Sequence, residues 1–341
     1  MIDNPTVTIG LTTFNRPDFL KEAVQSVMDQ TYVDFKLLIG NDDPSNKVTF
    51  KNLGIPYDSR IEILNYSRNI GEIANMNNLL NITNTEWFTW MADDDVFHSV
   101  FLESLVKSLK TDSPPISASY TLYKAGNVLE DSFFNDIKDK KPVYFEPADF
   151  ILQYVSRKVE LIGCYGLMNT KKLKIIGGMP KLGNSFAPYS DTLLPILLSE
   201  HGGIHYIDMP LTFLRTHEDS PTAASTNFNA YITAETDFLA RLEISCKNIG
   251  DVTLLDQSIY NMVSWFRDNE FSVISRNQSI SRSAVILSFI SYQIRVNYPR
   301  IKIKFWARFT IVTLVLLAKV IINSVRKFFL NLKLDHFETK Y

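Results

Sequence analysis

Apolar residues recur at every second position in the first run of the chain, where Val7, Ile9 and Leu11 stand between polar or small neighbours from Thr6 to Thr13. That period of two predicts a β-strand. The period then changes. Pro17 opens a helix, where its missing N–H costs nothing, and Phe19, Leu20, Ala23, Val24 and Val27 follow at helical spacing. Phe35 to Gly40 and Ile61 to Leu64 are runs that are apolar apart from Lys36 and Glu62, consistent with strands buried on both faces. Ile73, Met76, Leu79 and Leu80 mark the apolar side of a helix whose other sides carry Asn75, Asn77, Asn78 and Asn81. Trp87 to Ala92 reads as a further strand, and a helix follows around Phe101 to Leu109. Strands alternating with helices predict parallel pairing through right-handed crossovers.

The middle of the chain is less regular. Ile116 to Tyr123 and Val128 to Leu129, joined through Ala125-Gly126-Asn127, predict a hairpin. Ala148 to Val155 predicts a helix, Gly163 to Asn169 a strand and Ser190 to Leu198 a helix after a loop marked by Gly177, Gly178, Pro180 and Gly183. His205 to Ile207 and Thr212 to Thr216 read as two short strands around Pro210. From about Ala234 onward the pattern is helical only: Ile259, Met262, Val263 and Phe266 keep the i, i+3, i+4, i+7 rule, and Ala284 to Ile294 is another amphipathic stretch. The polar run from Pro221 to Thr226 therefore divides an α/β part, 1–225, from a helical region, 226–300, and a tail, 301–341.

Composition narrows the class without naming it. With 341 residues, 45% of them hydrophobic, and only 13 glycines, collagen-like and disordered readings are excluded. Two cysteines, Cys164 and Cys246, make no disulfide framework and fit a reducing compartment. The opening residues lack the basic and apolar regions of a secretory signal, so a cytoplasmic protein is expected. The net charge of −2 hides an asymmetry: from Arg295 to Tyr341 ten Lys/Arg face two acids, leaving the rest of the chain at −10. On a helix, Arg308, Lys319, Arg326 and Lys333 fall on one stripe of an otherwise greasy segment. That pattern predicts a tail lying in a membrane interface, peripheral on the inner face of the cell membrane; a helix packed on the protein or on a second subunit is the alternative. Trp306, Phe309 and Leu314 between the charges favour lipid over nucleic acid.

Candidate chemistry is carried by carboxylates. The chain has no Walker-type phosphate loop, no GxGxxG after the first strand, no HExxH and no GxSxG. Asp93, Asp94 and Asp95 directly follow the strand Trp87 to Ala92, at the strand end where open α/β sheets bind ligands. Adjacent like charges call for a cation, and a hard divalent ion such as Mg²⁺ or Mn²⁺ takes one or two carboxylates and completes its shell with phosphates. Alternation directs Asp93 and Asp95 to one side and Asp94 away. A solvated acidic turn is the alternative. Asp42 and Asp43 end the second strand in the same way, where an Asx-turn before Pro44 and Ser45 competes with a contact to a ribose or base.

Taken together, the motifs resemble the inverting glycosyltransferases of family 2, which have the GT-A fold. Thr6-Val-Thr-Ile-Gly-Leu-Thr-Thr-Phe-Asn-Arg-Pro is similar to that family's opening strand and turn, and Leu20 through Gln30-Thr31-Tyr32 to its first helix. Phe35 through Ser45, Asn69-Ile-Gly-Glu-Ile-Ala-Asn-Met-Asn and Trp87 through Asp95 resemble the next three motifs, the last ending in Asp-x-Asp. The resemblance spans about residues 5–220. It implies a Rossmann-like mixed sheet flanked by helices, with a C-terminal all-helical appendage. It implies nucleotide contacts from Thr12, Phe14, Arg16, Asp42 and Arg68, with Asp93 and Asp94 beside them. Asp93, Asp95 and His217 would hold Mn²⁺ or Mg²⁺, Arg215 would approach the phosphates, and Asp191 would be the catalytic base. Ser190 stands where the family has an acid, Thr12 where many members have proline, and Pro44 where they have glycine. The implied reaction moves a sugar, with inversion, from a nucleotide-diphosphate donor (UDP-linked by default) to a glycan hydroxyl. Joined to the tail, this suggests a lipid-linked precursor of a cell-surface polysaccharide as acceptor. A nucleotidyltransferase of the same fold class and a non-catalytic glycan-binding module are the alternatives.

Overall fold

The computed structural model describes residues 6–276, apart from 111–114, 131–132, 135–136, 184–187, 218–227 and 251, together with 310 and 313–314. Its first half follows the alternation of apolar periods. β1 (Val7–Thr13), α1 (Pro17–Met28), β2 (Phe35–Asn41), the short α2 (Phe50–Leu53), β3 (Ile61–Asn65), α3 (Glu72–Ile82) and β4 (Trp87–Ala92) succeed one another. β2, β1 and β4 lie side by side and parallel, with Thr12 level with both Gly40 and Ala92. β3 adds in parallel beside β2. That register brings the carboxyl ends of three strands to one edge.

A two-residue strand, β5 (Val96–Phe97), and α4 (Phe101–Leu109) follow. Then come β6 (Ile116–Gly126), β7 (Val143–Phe145), α5 (Pro147–Val155), β8 (Gly166–Asn169), α6 (Thr170–Ile175), α7 (Ser190–Ser199) and β9 (Gly203–Arg215). Among the described residues the sheet runs β3-β2-β1-β4-β8-β6-β9-β5, with β7 against β9. The sheet is mixed because β8 is antiparallel to both β4 and β6.

Two expectations fail here. The hairpin across Gly126 does not form: β6 pairs with β8 and β9 instead, and Val128 and Leu129 are not in a strand. Its two apolar faces need cover from the rest of the sheet, which a local turn cannot supply. The two short strands around Pro210 are one long strand, β9, which keeps Pro210 at a register irregularity opposite Leu122. A residue without an N–H is tolerated at such a break.

Apolar clusters cover both faces. One unites α1, α2 and α4 with β1 and β2, including Val7, Leu20, Phe35 and Leu105. The other packs α3, α5 and α7 on the sheet around Phe88 and Trp90. The helices α8 (Phe228–Ile249) and α9 (Val252–Arg276) send Phe238, Leu242, Met262 and Phe266 into this second cluster, so the helical region shares the sheet's core. The stretch Ala284 to Ile294 and all but three residues of the expected basic tail lie outside the described residues. Among the described residues no helix is long and apolar enough to cross a membrane.

The Gln-Thr-Tyr ending of the first helix has a physical role. The Gln30 side-chain amide, buried, donates to Ser26 O at 3.0 Å and His98 O at 2.8 Å, and accepts from Leu102 N at 3.0 Å. Thr31 N bonds Ser99 O at 2.9 Å. These bonds fasten the end of α1 to the loop that leads from the three aspartates into α4. Gln30→Ala would take this partner from Ser26 O, Leu102 N and His98 O, the last keeping Phe101 N at 2.9 Å, and is expected to cost about 2–3 kcal/mol, measured as a fall in denaturation midpoint. A loss under about 0.5 kcal/mol would show the amide to be dispensable.

Candidate functional site

The site begins where β1 stops. Asn15 adopts a φ of 54° and turns the chain over the end of β4, so that three groups converge on Asp93. Thr13 Oγ1 donates to its Oδ2 at 2.6 Å, Phe14 N to the same oxygen at 3.3 Å, and Arg16 Nη1 to Oδ1 at 3.1 Å. The same Arg16 nitrogen reaches Asp94 Oδ2 at 2.7 Å. Asp95 turns the other way. Its Oδ1 accepts from Arg215 N at 2.8 Å and its Oδ2 from the Tyr165 hydroxyl. Burial, then the neighbouring Asp94, pushes the Asp95 carboxyl up to about 7. Burial raises Asp93 too, against the opposing bond from Thr13.

This arrangement corrects the expected split of the triplet. Asp95 is buried and held by Tyr165 and Arg215, and Asp93 by the Thr13–Arg16 turn. Asp94 is the member that meets His217, whose Nε2 lies 2.9 Å from Asp94 Oδ2. The strand ends at Ala92, so simple alternation no longer governs the three aspartates. Two ligand atoms on adjacent corners of an octahedral ion, each at about 2.1 Å, stand about 3 Å apart. The Asp94–His217 pair fits that spacing. Among the described residues no group of three or more His, Cys, Asp or Glu is arranged around a metal, so a bound Mg²⁺ or Mn²⁺ would draw the rest of its shell from water or phosphate.

Arg215 and Asp42 also differ from expectation. The Arg215 guanidinium donates to Asp94 O at 2.8 Å and Glu22 Oε2 at 2.6 Å and lies 4.8 Å from the Phe19 ring centre. It braces α1 against the end of β9. Asp42 is buried, and its two oxygens accept from Ile70 N at 2.7 Å and Gly71 N at 2.8 Å. The carboxylate thus fixes the entry to α3 and the preceding segment with Arg68, which is exposed. Asp43 makes the Asx-turn, accepting from Ser45 N at 2.8 Å. Thr12 is half-buried at the end of β1, level with Gly40 and Ala92, and Phe14 is 51% exposed at the turn beyond it. Thr12, Phe14, Arg16 and Arg68 are therefore left around one strand edge.

Asp191 sits in the first turn of α7. Burial raises its carboxyl, opposed by hydrogen bonding to Thr192. Beneath it the chain approaches closely: a Cβ on Gly163 would stand 1.7 Å from Asp191 O. Before it, Tyr189 takes a φ of 69°, its ring packed against Tyr231, Trp265 and Phe266. Asp191, Arg215 and His217 all line one cavity of about 490 Å³. Tyr123, Tyr154, Arg157 and Trp265 complete much of its wall. Sequence reasoning missed Thr13, Tyr165, Glu22 and this wall. Thr13 is one position from a residue that the motif marks. The others are isolated in sequence and reach the site only through the fold.

Residues 8–146 match the family described as Glycosyl transferase family 2. A curated relative from Campylobacter jejuni, named GalNAc(5)-diNAcBac-PP-undecaprenol beta-1,3-glucosyltransferase, is 26% identical over 170 residues, 49% of this chain and 54% of that one. The chain spans about half the length of such curated relatives. Residues 1–349 of S. aureus TarS in complex with UDP-GlcNAc superpose with a TM-score of 0.52 at 12% identity, covering 86% of this chain and 89% of that one. The mannosyltransferase PcManGT from Pyrobaculum calidifontis, in complex with GDP-Man and Mn²⁺, gives 0.50 at 12% identity, covering 94% and 88%. At that identity the solved structures speak to fold alone, and the fold is theirs: a mixed sheet between helices with its strand ends gathered at one edge. Motifs, sheet and likenesses agree on a fold of the GT-A type, and residues 8–146 of the chain are similar to glycosyltransferase family 2.

Proposed function

We propose that the protein transfers a sugar from a nucleotide-diphosphate donor to a hydroxyl of a glycan acceptor, with inversion and without a covalent intermediate. The observation that carries this reading is the cavity shared by Asp191 and His217, with His217 bonded to Asp94. It brings a carboxylate of raised pKa alongside a pair fitted to a divalent cation. The C. jejuni relative, named for a diphospho-undecaprenol acceptor, supports a lipid-linked glycan here. The TarS complex with UDP-GlcNAc supports a UDP-sugar, and PcManGT with Mn²⁺ supports a metal.

The geometry supports the following roles. Thr12, Phe14, Arg16 and Arg68 bound the nucleotide, with Asp93 and Asp42 shaping the segments that carry them. Asp94 and His217 would hold Mn²⁺ or Mg²⁺ together with the donor diphosphate. Such an ion acts as a Lewis acid that neutralises the leaving phosphate. Asp191 accepts the proton of the acceptor hydroxyl as that oxygen attacks the face opposite the leaving group. A raised pKa suits the task, because a stronger base takes the proton more readily. The sugar develops oxocarbenium character as the bond to phosphate breaks.

Asp191→Asn is expected to lower transfer by at least about 10³-fold while the nucleotide still raises the melting temperature in thermal-shift assays. Full transfer by that variant would sink the assignment. Since Asp191 must be ionised and burial raises its pKa, wild-type kcat should fall as the pH drops, with its acid limb above the ordinary carboxylate value of about 4. A profile flat down to pH 4.5 would contradict it. Gly163→Ala, which presses on Asp191 O, should cut transfer more than nucleotide binding, with about 1–3 kcal/mol of overpacking. Equal losses in both would point to general disruption. Chelation with EDTA should abolish transfer, with Mn²⁺ restoring it, and Asp94→Ala or His217→Ala should weaken the Mn²⁺ titration by about tenfold or more. An unaltered titration in both variants would remove the pair as metal ligands.

A further inference from the structure

Arg157 stands just beyond the end of α5, with a φ of 62°. The left-handed conformation after a helix is the place where glycine fits without strain and a side chain with a Cβ does not. The turn is nonetheless well formed: Arg157 N bonds Tyr154 O at 3.0 Å, and Lys158 N bonds Gln153 O at 2.9 Å. What an arginine adds there is its guanidinium. That group lies 4.4 Å from the centre of the Trp265 ring, and both residues line the cavity that contains Asp191.

The rest of the cavity decides what the guanidinium is available for. Trp265 is itself wedged by Tyr189, ring centres 5.0 Å apart, so the indole is a fixed platform. Arg215, the other arginine on the wall, spends its donors on Glu22 and the Asp94 carbonyl. Among the described residues no carboxylate pairs with Arg157, and Glu160 lines the same cavity without an ion pair to it. A planar guanidinium stacked on an aromatic face keeps its edge N–H groups free in a fork matched to phosphate. Stacking also reduces the freedom lost when an anion binds.

We propose that Arg157, held against Trp265, is the anion-recognition residue of the acceptor site, and that the acceptor carries a phosphate or diphosphate close to the hydroxyl to be glycosylated. This rests on Asp191 as the base that faces that hydroxyl. The phosphate could belong to a lipid diphosphate carrier or to the sugar itself; the chemistry at Arg157 is the same. The helical region, through Trp265 of α9, then takes part in selecting the acceptor.

The test uses the full chain with Mn²⁺ and saturating UDP. Calorimetry compares decyl diphosphates of glucose, N-acetylglucosamine and N-acetylgalactosamine with the corresponding lipid-free sugar 1-phosphates and with neutral decyl glycosides. At least one phosphorylated probe should bind about tenfold or more tightly than its neutral counterpart. Arg157→Gly, which relieves the left-handed strain and so should melt no lower than wild type, should erase that preference, and Arg157→Lys should restore only part of it. A preference confined to the decyl diphosphates assigns the anion to a lipid carrier, and one shared by the 1-phosphates assigns it to the sugar. Equal binding of charged and neutral probes, binding of neither, or a preference that survives Arg157→Gly would overturn the proposal. Absence of any nucleoside diphosphate binding to the wild-type protein would instead overturn the transferase reading beneath it.

Discussion

Three consecutive carboxylates at the end of one strand repel one another, and withdrawal from water makes the repulsion stronger. Much of the cleft is arranged around that constraint. Asp93 accepts hydrogen bonds from Thr13 of β1 and from Arg16 in the turn beyond it, and Asp95 from the Arg215 amide of β9 and the Tyr165 hydroxyl just before β8. Asp94 stays between them, with Arg16 on one side and His217 on the other. The register of β1, β2 and β4 makes this feasible, because a slip of one residue would carry Thr13 and Arg16 away from Asp93.

The fold of the first half was legible because its signals are local. Trp87–Ala92 as a strand and Phe101–Leu109 as a helix follow from periodicity alone, and Pro17 marks the start of α1 as its missing N–H dictates. The second half was harder because its strands answer to neighbours distant in the chain. Ile116–Gly126 looks like one arm of a hairpin until it is placed between β8 and β9. In the site, residue types were legible and directions were not. Which of three aspartates faces His217 depends on where the strand ends and on Tyr165, seventy residues away. Arg215 carries the charge expected of a phosphate ligand, yet Glu22 and the Asp94 carbonyl take its donors. Sequence spacing names a side chain's chemistry and leaves its partners to the tertiary structure.

The helices after the sheet bear on the same chemistry from the opposite side. Asp191 lies in the first turn of a helix that is entered through Tyr189 in the left-handed region, a conformation that a tyrosine keeps only when its surroundings over-determine it. Tyr231 of α8 and Trp265 and Phe266 of α9 supply those surroundings. Gly163 supplies the floor, since any Cβ there would collide with the Asp191 carbonyl. The position of Asp191 is thus fixed by contacts from three separate stretches of chain. Trp265 also backs Arg157, a residue with positive φ on the cavity wall. The non-glycine residues with positive φ among those described are Asn15, Arg157 and Tyr189. Asn15 lies in the turn that closes on Asp93, Arg157 on the cavity wall and Tyr189 at the entry to Asp191. Strain concentrated there, and offset by aromatic packing and buried hydrogen bonds around it, is what a site needs if opposing charges are to be held still before a substrate arrives.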